Sequence, residues 1–219
     1  AGKSFDVTVS GGNLANFNGS VGLNLSGHDL TDAAGNGLPI AEPTNDQMFS
    51  VAAYQHLTYA GTSSAALVVR VVNGHLEVKI GTALQPRASP AMGGSLTFTG
   101  GSKNDSINLT GLSSSLYSHL TRIVISGGDG NDAITGSDFA ETISGGLGND
   151  ALKGGGGMDC LTESGDVSFV LTKVRLTGLG TDSLAGFDEA CLTGGDHANK
   201  LDASAFTGNV TLLGGSGDD

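Results

Sequence analysis

The chain has 219 residues, no tryptophan, and 37 glycines, well over twice the usual share of ~7%. Its formal net charge of −12 is concentrated in the second half: segment 127–219 carries fifteen Asp or Glu against four Lys or Arg, and segment 1–126 carries seven against six. That balance excludes a nucleic-acid partner for the second half, since phosphate would be repelled. No apolar run reaches the length of a membrane span, and no secretion signal opens the chain. The size allows one or two domains. Val, Ile, Leu and Thr recur between clusters of Gly, Asn and Asp, which reads as all-β.

In chain order, residues 5–10 (FDVTVS) and 21–25 (VGLNL) alternate apolar and polar, as half-buried strands do, with turns marked by Gly11, Gly12, Asn18 and Gly19. DLTDAAGNGLP follows at 29–39, then EPTNDQMFSV at 42–51. Asp29, Asp32 and Asn36 read as turn residues whose side chains bond their own backbone, with an ion site as the alternative. Residues 52–66 read as a linker. LVVRVV (67–72) and LEVKI (76–80) flank Asn73-Gly74, a hairpin signal, and Pro86 and Pro90 bracket a further break. SLTFT (95–99) leads into GGSKNDSIN (100–108), which holds Asp105.

Four consecutive nonapeptides then run from Gly127 to Thr162: GGDGNDAIT, GSDFAETIS, GGLGNDALK and GGGGMDCLT. Each opens on glycine, places a carboxylate sixth (Asp132, Glu141, Asp150, Asp159) and an aliphatic eighth (Ile134, Ile143, Leu152, Leu161). This is the pattern G-G-x-G-x-D-x-U-x, a turn and a very short strand that stack into a parallel β-helix around calcium. One unit buries almost nothing alone. Stacked units pair strands about 4.8 Å apart and align the aliphatics in a narrow core. The same stacking brings carboxylates of successive coils together, where they would repel one another. Calcium accepts six to eight oxygens, from carboxylates and turn carbonyls, at roughly 2.3–2.6 Å. Magnesium wants a tighter octahedron, and zinc lacks ligands here, because the stretch has no His and only Cys160.

The expected ligand set is Asp105, Asp129, Asp132, Asp138, Glu141, Asp150, Asp159 and Asp219, with the turn glycines Gly127, Gly136, Gly145 and Gly154. The same spacing places Asn-Asp pairs at 104–105, 131–132 and 149–150, so the stacked strands are expected to begin near residue 95, with TRIVIS (121–126) as the first return strand. Beyond Thr162 the repeat decays. VSFVLT (167–172) and VRL (174–176) are strand-like, GGDHAN (194–199) carries Asn199 at the ligand place, and NVTLL (209–213) runs into GGSGDD (214–219).

The nonapeptides resemble the RTX β-roll of secreted bacterial toxins, proteases and surface proteins. In that family two units make one coil, which implies that Asp132 faces Asp150 across one ion and Glu141 faces Asp159 across another. Ser137, Ala140 and Glu141 depart from the pattern in the second unit. Residues 3–52 resemble the C-terminal half of bacterial Ig-like surface modules, where a D-x-A-G-N turn precedes the last strand. The fold expected is therefore a parallel β-roll or β-helix over 95–219, with a partial Ig-like β-sandwich over 1–52 and a linker with hairpin over 53–94.

Cys160 and Cys191 are a disulfide candidate, on strands about one coil apart. The five histidines are scattered, and no H-E-x-x-H or G-x-S-x-G motif occurs. The Asn-x-Ser/Thr triplets follow from composition. These features point to a non-catalytic, calcium-dependent structural segment of an extracellular or bacterial cell-surface protein: an adhesin, surface layer, stalk or filament. Its partners would be calcium and either copies of itself or neighbouring modules. Both ends read as cut from something longer. The alternative from another class is an accessory region of a secreted hydrolase, lyase or toxin. A carbohydrate-active β-helix is disfavoured, because no catalytic cluster stands outside the repeat ligands.

Overall fold

The computed structural model describes residues 20–22, 48–50, 54–85, 88 and 93–219. The chain divides into two compact units, Ala1–Ala53 and Tyr54–Asp219. In the first, β1 (Ser20–Gly22) and β2 (Met48–Ser50) pair antiparallel, Val21 opposite Phe49. The rest of the expected Ig-like module, with Asp29, Asp32 and Asn36, lies outside the described residues.

The second unit contains β3 (Tyr54–Ala60), β4 (Leu67–Val72), β5 (His75–Ile80), β6 (Ala83–Leu84), β7 (Gly93–Thr99), β8 (Ser106–Asn108) and β9 (Leu120–Asp129). It continues through β10 (Ala133–Thr135), β11 (Glu141–Leu147), β12 (Ala151–Lys153), β13 (Cys160–Ser164), β14 (Phe169–Thr172) and β15 (Arg175–Thr177). The last strands are β16 (Thr181–Ala185), β17 (Glu189–Thr193), β18 (Leu201–Ala205) and β19 (Asn209–Leu213). The described residues contain no helix. The protein is all-β, and its second unit is built from one parallel sheet and one mixed sheet.

The parallel sheet runs β3, β7, β9, β11, β13, β17, β19 from edge to edge, and the mixed sheet runs β6, β5, β4, β8, β10, β12, β16, β15, β14, β18. From β7 to β13 the chain alternates strictly between the two sheets, so each strand pairs with the one two further along. Ile134 is in register with Ile107 and Leu152, and Ile143 with Ile125 and Leu161. All six are buried between the sheets, each worth roughly 1.5–3 kcal/mol of transfer free energy. The period is set by glycine turns. Gly148, for example, has φ +133°, and a Cβ there would lie 1.7 Å from the Gly130 carbonyl oxygen of the preceding coil.

Three differences from the sequence reading are physical. The parallel sheet starts at Tyr54, inside the expected linker: β3 pairs along its whole length with β7, and the β4–β5 hairpin joins the mixed sheet through β8. Leu109, Leu112 and Tyr117 are buried and fill the long connection between β8 and β9. Finally, β14 and β15 interrupt the period. Asp132 and Asp150 are 18 residues apart, whereas Asp150 and its successor Asp182 are 32 apart. The surplus of 14 is Glu163–Leu176, whose strands stand between β16 and β18. Without that segment Thr177 would follow Thr162 directly, and TGLGTDSLA (177–185) would continue the nonapeptides.

Candidate metal centre

The carboxylates at the sixth place of the repeats form ladders along the edges of the stack, where the chain turns between sheets. On one edge, each carboxylate accepts the backbone N–H of its counterpart in the preceding coil. Asp105 N donates to Asp132 Oδ1 (2.7 Å), Asp132 N to Asp150 Oδ1 (2.8 Å) and Asp150 N to Asp182 Oδ1 (2.9 Å). Leu67 N extends the row by donating to Asp105 Oδ1. On the other edge, Glu141 N donates to Asp159 Oδ1 (2.9 Å) and Asp159 N to Asp188 Oδ2 (3.1 Å). Asp132 therefore neighbours Asp150, and Glu141 neighbours Asp159, one coil apart.

A second ladder runs in the opposite direction. Asn104 Oδ1 accepts from Asn131 N (2.9 Å), Asn131 Oδ1 from Asn149 N (2.8 Å) and Asn149 Oδ1 from Thr181 N (2.8 Å). The two ladders clamp each turn from both sides, satisfying backbone groups that a turn otherwise leaves to water.

One oxygen of each carboxylate is thus engaged. Asp105 Oδ2 also accepts from Gly101 N (2.9 Å), and Glu141 accepts from Ser137 N (3.2 Å) and from Ser137 Oγ. Asp132 Oδ2, Asp150 Oδ2 and Asp159 Oδ2 are buried without a hydrogen-bond partner. Asp132, Asp150 and Asp159 are 2%, 3% and 0% exposed. Burying a carboxylate with an idle oxygen is costly. Burial accordingly pushes Asp132 up to about 7, with the negative charges of Asp150, Asp105 and Asp129 adding to the rise and the hydrogen bond from the Asp105 backbone opposing it. Burial likewise raises Asp182 to about 6 and holds Asp150, Glu141 and Asp159 above the usual carboxylate range.

Carboxylate oxygens of three of these residues share their space with main-chain carbonyls of the next coil. At the point where a Cβ would stand on Gly127, Asp132 Oδ2 is 2.2 Å away and Gly145 O 2.5 Å. At Gly154 the same point lies 2.5 Å from Asp159 Oδ2 and 2.1 Å from Gly186 O, and at Gly136 it lies 2.6 Å from Glu141 Oε2 and 1.8 Å from Gly154 O. Any side chain at these glycines would fill the cradle. Carboxylate plus carbonyl oxygens, with no nitrogen or sulfur, form a hard-oxygen donor set, so the residues present fit calcium better than zinc. Among the described residues no three His, Cys, Asp or Glu side chains converge on one point. Each cradle instead joins one carboxylate to backbone.

The expected residues divide clearly. Asp105, Asp132, Glu141, Asp150 and Asp159 are buried in the rows, with Gly127, Gly136, Gly145 and Gly154 beside them. Asp219, although exposed, takes the same place, accepting from Asn199 N at 2.8 Å. Asp129 and Asp138 are exposed, and their carboxylates accept no ladder hydrogen bond.

Three acidic residues belong to the site without having been expected. Asp182 and Asp188 extend the two rows. The match of GLGTDSLAG (178–186) to GLGNDALKG (146–154) was the available signal for Asp182. Glu163 is 4% exposed and stands one coil beyond Gly145, accepting from Gly145 N, from Gly146 N (3.1 Å) and from Ser144 Oγ (3.2 Å). Burial raises it to about 7 despite those donors. At Gly145 the three atoms nearest to where a Cβ would stand all belong to Asp150, with Oδ2 at 2.3 Å.

Cys160 and Cys191 are free thiols. Cys160 is in register with Glu189, and Cys191 with Thr162, so the two sulfurs are diagonal rather than opposite. With strands about 4.8 Å apart and a two-residue offset of about 6.6 Å along them, the two Cα atoms lie about 8 Å apart, beyond the roughly 4.4–6.8 Å usual for a disulfide. The expected bridge is corrected on that ground.

No family model, no curated protein and no solved structure matches this chain.

Proposed function

We propose that the stacked strands are a calcium-binding β-roll of the RTX type, and that the chain is a calcium-dependent structural segment of a secreted or cell-surface bacterial protein. The observation that carries this reading is the set of buried carboxylate oxygens without a hydrogen-bond partner, Asp132 Oδ2, Asp150 Oδ2 and Asp159 Oδ2, the first and last of them beside a main-chain carbonyl of the next coil. Asp105, Asp132 and Asp150 would hold ions on one edge, and Glu141 and Asp159 on the other. Bound calcium would supply the positive charge that lets these groups ionise while buried.

The chain's own residues do the rest. Glycine turns bring the carbonyls inward, the Asp Oδ1 and Asn Oδ1 ladders fix the spacing of the coils, and the aliphatic row excludes water. Because the cradles join residues of different coils, they do not exist in the unfolded chain, and ion binding is folding energy. An acidic segment that orders only where calcium is abundant suits export followed by folding outside the cell, in a stalk, adhesin, surface layer or filament.

The test is a calcium titration of the chain followed by far-ultraviolet circular dichroism, with magnesium as control. A cooperative gain of β signal with calcium alone is expected at pH 8. A chain equally folded in chelator and in calcium at that pH would contradict the reading.

A further inference from the structure

The turns on the edge that carries Glu141 and Asp159 differ in length. Gly154–Asp159 is overlaid by Gly186–Asp188, three residues shorter, although both ends remain aligned: Gly154 N donates to Ala185 O (2.9 Å) and Asp159 N to Asp188 Oδ2 (3.1 Å). The longer turn overhangs the shorter one. Beside this step opens a cavity of ≈ 360 Å³, lined by Lys173, Phe187, Asp188, Thr207 and glycine backbone from both turns.

Three separate parts of the chain supply its side chains. Lys173 comes from the tip of the inserted β14–β15 hairpin, Phe187 and Asp188 from the short turn, and Thr207 from the turn between β18 and β19. The insertion therefore delivers a cation to a place that the regular repeat leaves without one.

The four side chains have complementary capacities. Lys173 offers up to three donors, and among the described residues it has no acidic partner within ion-pair distance. Asp188 receives Asp159 N on Oδ2, while its other oxygen accepts from none of the described residues. Thr207 is exposed, and its hydroxyl both donates and accepts. Phe187 is half-buried and presents an apolar ring. An anionic ligand would face Asp188 and an acidic surround, and a cationic one would face Lys173. A neutral ligand rich in hydroxyls meets neither penalty, and the volume falls within the range of small-molecule pockets, about 300–1,000 Å³.

We propose that the cavity between the inserted hairpin and the short turn binds a neutral hexose unit of a glycan, with Lys173, Asp188 and Thr207 bonding its hydroxyls and Phe187 covering its apolar ring face. The proposal goes beyond the calcium reading and fails separately from it, because Lys173, Phe187 and Thr207 hold no cradle oxygen.

The experiment is an NMR titration of the full chain, in millimolar calcium, with the methyl glycosides of glucose, galactose and mannose. At least one should give saturable shifts at Lys173, Phe187, Asp188 and Thr207, with a dissociation constant of roughly 1 mM. Lys173→Met should weaken binding about tenfold, with Phe187→Ala and Thr207→Val also weaker, while circular dichroism is unchanged. Lys173→Met and Thr207→Val replace exposed side chains, so they remain informative even where Phe187→Ala loosens the core. Absence of saturable shifts with all three sugars would overturn the proposal, as would shifts elsewhere on the surface that Lys173→Met and Thr207→Val leave untouched.

Discussion

Replacing Asp132 with Asn separates the two roles of the buried carboxylate. Asn keeps the Oδ1 acceptor for the Asp105 N–H and removes the charge. Burial lifts the folded-state value of Asp132 from 3.8 to about 7. The folded chain thus holds this proton more tightly than the unfolded chain does. Stability from this group is fully present below about pH 4 and is lost as pH rises through about 7. At roughly 1.4 kcal/mol per unit, ionised Asp132 costs the calcium-free fold on the order of 4 kcal/mol at pH 8, as an upper figure. Asp132→Asn should therefore be the more stable chain in chelator at pH 8, with the difference vanishing near pH 4. In millimolar calcium the order should reverse or narrow, because the variant has lost a charged ligand. Urea denaturation followed by circular dichroism, at both pH values and with and without calcium, measures all of this. A variant less stable than the parent in chelator at pH 8 would refute the electrostatic argument, as would one that gains as much from calcium.

Glu163→Gln offers a contrast. Its carboxylate is buried but already receives three donors, so the variant should gain stability at pH 8, by less than Asp132→Asn, and keep its calcium response. Calcium titration of both variants side by side distinguishes them. Gly148→Ala should lose at least about 1–3 kcal/mol from backbone strain alone, read as a lower urea midpoint in calcium, because its φ is +133° and the added carbon meets the Gly130 carbonyl. Deleting Glu163–Leu176 should restore the 18-residue spacing of Asp150 and Asp182 and leave a chain that still gains β signal with calcium. Absence of that signal would mean that the insertion is required for stacking.

The regular part of the fold was legible because its physics is local. A turn of glycines, one carboxylate and one inward aliphatic recur every nine residues, and Ile134, Ile143, Leu152 and Leu161 are all buried where that period puts them. The start of the stack was not legible. Tyr54–Ala60 (YQHLTYA) has no glycine–aspartate turn of its own, and its place is set by pairing with β7, a contact remote in sequence. Asp182 was hidden by Thr177 at the first-glycine place and by the 14-residue surplus before it. Glu163 acquires its role only from where β13 ends above Gly145 and Gly146, which no local pattern records. The cysteines show the limit most simply. Their residence on adjacent strands could be read from the repeat, but the two-residue offset in register, which keeps them apart, could not.

Crystals grown with calcium, and the anomalous difference density they yield, test the central claim most directly. The account predicts peaks between successive coils, each roughly 2.3–2.6 Å from a row carboxylate and from turn carbonyls, above all at Asp132 Oδ2 with Gly145 O and at Asp159 Oδ2 with Gly186 O. The same coils ordered without density at either cradle would contradict it.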